Sequence, residues 1–178
     1  MAKPALPSPH LRVSLIVTAD DLGYCRERDD GILEASTAGG GAVRSVSLLV
    51  AGRPHQRHAL AARSLRRAVA AGLDVGLHLN LTEGVPLCDW RTIPSLLEPL
   101  AAGASPDDKT PRVFRGKFGF RNAWNHGCID AADVRREALA QFQWFEQNHP
   151  HRQVCDWRAW CWIFVAYLPN SCLPNCVS

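Results

Sequence analysis

Residues 15–25 read LIVTADDLGYC. An apolar run, β-branched at Ile16 and Val17, leads into two adjacent carboxylates, Asp20 and Asp21, and Gly23 follows shortly after. The run predicts a buried strand over 13–17, and the Asp-Asp-x-Gly beyond it has turn chemistry. What comes next decides the fold class. Residues 26–38 carry a helical pattern through Ile32, Leu33 and Ala35, and the glycines at 39–41 stop it, because glycine tolerates the backbone angles past a helix end. Residues 43–50, VRSVSLLV, predict a second strand. Residues 55–71, HQRHALAARSLRRAVAA, are rich in Ala and Leu with Gly72 just beyond, and predict a helix. Residues 75–81, VGLHLNL, predict a third strand, with Leu77, Leu79 and Leu81 on one face and His78 and Asn80 on the other. Strand, helix, strand, helix, strand is the pattern of an α/β fold with parallel strands and crossover helices. Such strands are buried on both faces, so a polar residue within one needs a reason.

Residues 82–130 contain Pro86, Pro94, Pro99, Pro106 and Pro111, which cut any regular element short. A structureless loop of this length is a functional segment or a disordered one. Residues 131–148, AADVRREALAQFQWFEQN, return to helix, with Val134, Ala138, Phe142 and Phe145 on one stripe and Asp130 placed to cap it. The character then changes. Residues 155–178 hold four of the seven Cys and three of the six Trp, with neither a helical nor an alternating period. They read either as a final strand, WCWIFVAYL, with a loose tail, or as a terminus foreign to the fold.

At 178 residues, 47% hydrophobic and 21% charged, the chain has room for a sizeable core. The net charge of +3 is spread among mixed signs, and the basic run at 63–67 lies within a helical pattern, which argues against a nucleic-acid partner. The longest apolar run, 159–168, is ten residues, against the roughly 20 that a membrane-spanning helix needs. Pro4, Pro7 and Pro9 interrupt the N-terminus before any signal-peptide core builds up, so a cytoplasmic or nuclear location is expected, with no membrane partner. The seven Cys form no CxxC pair, and reduced thiols are the simpler reading. Cys172 and Cys176 have a CxxxC spacing but no second ligand pair. The glycines at 39–41 follow a helix rather than a strand and lack the Lys-Ser/Thr end of a phosphate loop.

The residues able to do chemistry are few. Asp20 and Asp21 sit where a parallel strand ends, the place where α/β folds open their ligand crevices. Two carboxylates held close together repel unless a cation lies between them, and hard divalent cations seek such oxygens. The competing reading is a turn that caps the next helix. His78, on the polar face of the third strand, is either a metal ligand opposite that pair or a hydrogen-bonded core histidine. Together the three make a metal site one ligand short of a three-ligand catalytic arrangement. His55 and His58 read as surface, His126 lies in the long loop, and His149 and His151 flank Pro150 at a helix end, where either could stand in as the third ligand.

TADDLGYC at 18–25, VRSVSLLVAG at 43–52, GLHLNLTEGVPL at 76–87 and GKFGFRNAW at 116–124, taken in this order, resemble the YdjC-like (ChbG) carbohydrate deacetylases, the vertebrate members closely. The resemblance covers residues 12–148. It implies a (β/α) barrel-like fold and a metal-dependent hydrolase that removes acetyl groups from N-acetylated sugars or oligosaccharides, so the expected partner is a small acetylated carbohydrate. Carried over by position, Asp20 would be the proton acceptor, and Asp21 and His78 would hold a divalent cation, Mg2+ first, with Zn2+ or another divalent ion as alternatives. The family's further histidine comes from a segment resembling PTHxDGHQHxHxLP. That segment is missing here, where NHPHRQVCDWRAWCWIF stands instead. Since a whole barrel needs on the order of 250 residues, the resemblance implies an incomplete barrel, about its first half. The expected organisation is an N-terminus over 1–11, a partial deacetylase domain over 12–150, and a divergent Cys- and Trp-rich tail over 151–178. The expectation for the tail is an alternative exon or a shifted frame in a truncated form with impaired activity. The competing function is a non-catalytic interaction protein that uses the exposed sheet edge or the apolar tail.

Overall fold

The strand over the VRSVSLLV segment, β2 (Val43–Leu49), is the middle of a parallel sheet. The computed structural model describes residues 15–52, 57–99 and 112–149. β2 pairs on one side with β1 (Val17–Leu22) and on the other with β3 (Asp74–His78), both parallel. Every residue of β2 except Arg44 is buried, as a strand flanked on both edges and covered by helices requires. The crossovers are α1 (Arg26–Thr37) and α2 (Arg57–Ala70). They lay Ile32, Leu65 and Ala68 against Val46, Leu48, Val75 and Leu77 to form the first core. Fully burying one such Leu or Ile side chain contributes about 1.5–3 kcal/mol. Past α1, Gly41 has φ +50°, and a Cβ there would sit 1.7 Å from the Ser36 carbonyl oxygen, so only glycine fits the reversal into β2.

The first strand is not where its apolar composition put it. β1 begins at Val17 and runs through both aspartates, while Leu15, Ile16 and Val17 are 87%, 69% and 36% exposed. β1 is an edge strand of the described sheet, and β-branched residues report the extended backbone rather than burial there. The third strand also ends early, at His78. The Gln141 side-chain amide takes over the ladder beyond it, accepting from the Asn80 N–H at 3.1 Å and donating to the Asn80 carbonyl at 2.6 Å. A side chain has replaced the next strand residue, so pairing stops there.

The stretch 82–130 is far from structureless. Turns of 3-10 helix form at Trp90–Thr92 and Pro94–Leu96, the second opened by Pro94 at a first helical position where its missing N–H is harmless. Gly116–Asn125 is a helix, α3, that sequence reading missed, because two glycines and the neighbouring prolines mask the spacing of Phe120, Ala123 and Trp124. These elements bury Leu81, Ile93, Leu96, Leu97, Phe114 and Phe120 in a second core with Val134. The last described helix, α4, spans Ala131–Asn148 as its pattern predicts, with the Asp130 carboxylate accepting the Ala132 N–H at 2.7 Å. Its stripe holds, with Val134 and Phe145 buried and Ala138 and Phe142 packed against the cores.

Residues 1–11 and the 151–178 tail, with the Cys172–Cys176 spacing, lie outside the described residues. Among the described cysteines, Cys25, Cys88 and Cys128 are free thiols. No helix among the described residues is long and apolar enough to cross a membrane.

Candidate active site

In a regular strand adjacent residues face opposite sides, and Asp20 and Asp21 escape that rule through a bulge. Ala19 lies opposite Val46 and Leu22 opposite Leu48, so three steps along β1 match two along β2. The extra residue breaks the alternation. Asp21 is the only non-glycine residue with positive φ, +65°, among the described residues, a left-handed conformation that Asp tolerates better than most side chains. As a result both carboxylates line one open cavity of about 640 Å³ at the C-terminal ends of the strands, together with His78, Tyr24, Arg28 and Lys117. Neither caps the next helix: the N-cap of α1 is Cys25, with no side-chain cap bond.

The turn after the carboxylates is anchored from below. The Gly23 N–H donates to the buried Asp29 on α1 at 2.7 Å, and Ser64 on α2 donates to the other Asp29 oxygen. Burial pushes the Asp29 carboxyl above its ordinary value, against the Ser64 and Gly23 hydrogen bonds, which pull the other way. Gly23 has φ +88°, and a Cβ there would meet the Leu49 carbonyl oxygen at 2.8 Å. The chain therefore reverses tightly against β2 at this point.

His78 closes the site from β3, its side chain 17% exposed. Its Nδ1 lies 3.3 Å from Asp21 Oδ1 and 3.0 Å from Ser47 Oγ. Ser47, on the central strand, donates to Asp20 Oδ1 at 2.7 Å. Asp21 Oδ2 accepts from Arg28 Nη1 at 2.7 Å, and that guanidinium lies over the Tyr24 ring, 4.3 Å from its centroid. The three residues singled out in the sequence are thus brought together. Ser47 and Arg28 were missed. Ser47 left a weak signal, since it is one of two hydroxyls, with Ser45, in a buried strand; Arg28 left none, as one charge among several on an exposed helix face.

Of the other histidines, neither His126 nor His149 joins. His126 is exposed at the end of α3, its Nδ1 2.8 Å from the Asn122 carbonyl oxygen. His149 packs against Phe145 at the end of α4, at a ring-centroid distance of 5.4 Å, and is not among the residues lining the cavity. His55 and His151 lie outside the described residues. Asp21 and His78 offer one oxygen and one nitrogen donor to a cation, and no cluster of three or more His, Cys, Asp or Glu able to hold a metal exists among the described residues.

The lower rim is built by a buried asparagine. Asn80 Oδ1 accepts the N–H groups of Thr82 and Glu83, and its Nδ2 donates to the carbonyls of Ala51 and Glu83. These bonds hold the TEG turn beside the strand ends.

The chain is 42% identical over 136 residues to a carbohydrate deacetylase of Homo sapiens, an overlap that covers 76% of this chain and 36% of the relative. Identity to a carbohydrate deacetylase of Xenopus laevis is 35% over 135 residues, covering 75% of this chain and 38% of the relative. To one from Vibrio vulnificus (strain YJ016) it is 32% over 133 residues, covering 75% and 43%. The chain therefore spans about two-fifths of the length of these relatives. No solved structure gives a significant match. The YdjC-like protein family matches across residues 14–152, a range that takes in every described element, and the chain belongs to that family.

Proposed function

We propose that the chain carries the catalytic carboxylates of a metal-dependent carbohydrate deacetylase, and that its parallel sheet is the first part of a (β/α) barrel-like fold. The observation that carries this reading is the convergence of Asp20, Asp21 and His78 from two strands on one cavity, with Asp21 Oδ1 and His78 Nδ1 3.3 Å apart. A carboxylate oxygen and an imidazole nitrogen suit a divalent cation, Mg2+ or Zn2+, and Asp21 and His78 would hold it. Such an ion supplies Lewis acidity at the acetyl carbonyl and at the attacking water. Asp20 accepts the proton of that water as general base. Ser47 holds the Asp20 carboxylate by its hydrogen bond, and Arg28 fixes Asp21 so that its other oxygen faces His78. Amide hydrolysis of an N-acetylated sugar then leaves acetate and an amino sugar; the relatives' names go no further than carbohydrate deacetylation.

The test has two readouts. Mn2+ titrated into the chain should bind, and Asp21→Ala or His78→Ala should abolish the uptake. Acetate released from an acetylated chitooligosaccharide should follow the same pattern, measured beside a version that continues into the family's His-rich segment. No uptake in either version sinks the reading.

A second reading has one observation in its favour. The outer edge of β1 is flanked by exposed Leu15, Ile16 and Val17, and such an edge accepts an added strand from a protein partner. Capture of an extended peptide by a chain that takes up no cation would favour a non-catalytic interaction protein.

A further inference from the structure

Three charged side chains at the cavity are left over once the carboxylate pair, His78 and their partners are accounted for. Glu83 comes from the TEG turn, Glu98 from beside the Leu97–Phe114 bridge and Lys117 from the first turn of α3, and all three line the same cavity as Asp20, Asp21 and His78. Among the described residues, none of these three side chains makes a hydrogen bond or an ion pair, although two carboxylates and an ammonium share one cavity. The main chain under them, in contrast, is tied together. The Phe114 N–H donates to the Gly84 carbonyl at 2.9 Å, the Glu98 N–H to the Val113 carbonyl at 3.0 Å, and the Val85 N–H to the Gly52 carbonyl at 3.0 Å. Gly84 permits this approach, with φ +86° and a position where a Cβ would sit 2.3 Å from the Gly52 carbonyl oxygen. Lys117 also stands against the local field, since the first turn of a helix favours negative charge and α3 has no acidic residue there. A fixed backbone that presents unpaired charges of both signs to a cavity is explained by contact with a ligand and not by stability.

We infer that Glu83, Glu98 and Lys117 form the subsite for the sugar ring of a neutral N-acetylated sugar, whose acetamido group turns toward Asp20, Asp21 and His78. The orientation of the sugar rests on the deacetylase reading. A pyranose carries hydroxyls that both donate and accept, so each carboxylate takes hydroxyl hydrogens while the ammonium gives its own to hydroxyl oxygens. The charge of the lining selects among sugars. Four carboxylates, Asp20, Asp21, Glu83 and Glu98, stand against the two cations Arg28 and Lys117, a balance that repels an anionic sugar and admits a neutral one.

The deciding measurement is a titration of N,N′-diacetylchitobiose into the cation-free chain, read from the backbone amide shifts of residues 83, 98 and 117. Wild type should bind the sugar. Glu83→Gln, Glu98→Gln and Lys117→Met should each weaken binding roughly 10–100-fold, as the loss of a hydrogen bond to a charged group predicts, with the unfolding temperature and Mn2+ uptake of wild type. In acetate release the same variants should lower kcat/KM chiefly through KM, the signature of a contact made equally in ground and transition state. An analogue of the sugar with a carboxylate at C6 should bind more weakly than the neutral form. Wild-type amides that do not shift, variants that bind undiminished, or an acidic analogue that binds more tightly each overturn the inference. The wild-type shifts decide even where a variant fails to fold. Failure of the wild-type chain to take up Mn2+ overturns the deacetylase reading alone, because sugar binding is read without any ion.

Discussion

On β1, Asp20 is exposed and Asp21 half-buried, and both face a cavity. On α4, Asp133 and Glu137 are 2% and 0% exposed and accept from main-chain N–H groups of the loop lying over them, the other Asp133 oxygen pairing with Arg136. Glu137 accepts from Leu87 and Cys88, both at 3.0 Å, and Asp133 accepts from Ser95 at 2.9 Å. The two regions share a residue type and differ in what the oxygens meet. A buried carboxylate whose oxygens are taken by peptide N–H groups holds a loop in place and is expensive to remove. A carboxylate in an open cavity, oriented by one serine or one arginine, keeps an oxygen available for a cation or a proton.

Exchanging the roles of the two regions is the way to break this contrast. The largest effect is expected at Asp20→Asn, where acetate release should fall on the order of 100-fold or more while urea unfolding shifts by less than about 1 kcal/mol. A large loss of stability with activity retained would assign Asp20 to the structural group. Glu137→Ala should do the opposite, lowering stability by about 3 kcal/mol in urea titration, since two half-buried N–H groups and the buried Gln141 amide lose their acceptor. The same variant carries a second readout at Cys88, whose thiol is pushed up to about 12 by burial first and by the neighbouring Glu137 next. Cys88 should resist alkylation in wild type, while exposed Cys128 reacts, and should become reactive in the variant; mass spectrometry of the alkylated peptides reads both.

Asp29 sharpens the comparison, because it is a structural carboxylate under the turn that follows Asp20 and Asp21. Its folded value lies above the ordinary 3.8, so the stability of its neutral form is fully present below that value and is lost as pH rises through the folded value. Asn is neutral throughout. Asp29→Asn should therefore gain stability relative to wild type as pH rises from below 3.8, and a pH-independent difference in unfolding free energy would contradict the assignment. The smallest effect is expected at Arg28→Ala. Its ion pair with Asp21 has side chains 42% and 37% exposed, and such pairs contribute about 0–1 kcal/mol. A thermal shift larger than that range allows would mean that Arg28 supports the fold and not only the orientation of Asp21.

Much of this arrangement is legible in the chain itself. The bounds of α4 follow from a cap at Asp130 and an apolar stripe, both local properties of consecutive residues. The parallel order of strands follows from helices of crossover length between them. The grouping of Asp20, Asp21 and His78 is readable because parallel strands bring their C-terminal ends to one side of the sheet. The extent of β1 is not readable, since the apolar letters at 15–17 precede the ladder and the polar letters at 18–21 lie within it. α3 is hidden because its own glycines and nearby prolines are breakers by composition, and it forms because Phe120 and Trp124 find the second core.

The sequence by itself determined where α1, α2 and α4 lie, which strands run parallel, and which side chains have the chemistry to bind a cation or accept a proton. Those are properties of short segments, set by period, capping and the backbone preferences of Gly and Pro. Only the tertiary structure decided that a bulge turns Asp20 and Asp21 to one cavity, that Ser47 joins Asp20 to His78, and that Glu137 and Gln141 are buried to satisfy a loop some 50–60 residues away. Each of these depends on register and on which residues of distant segments become neighbours, and no run of consecutive residues carries that information.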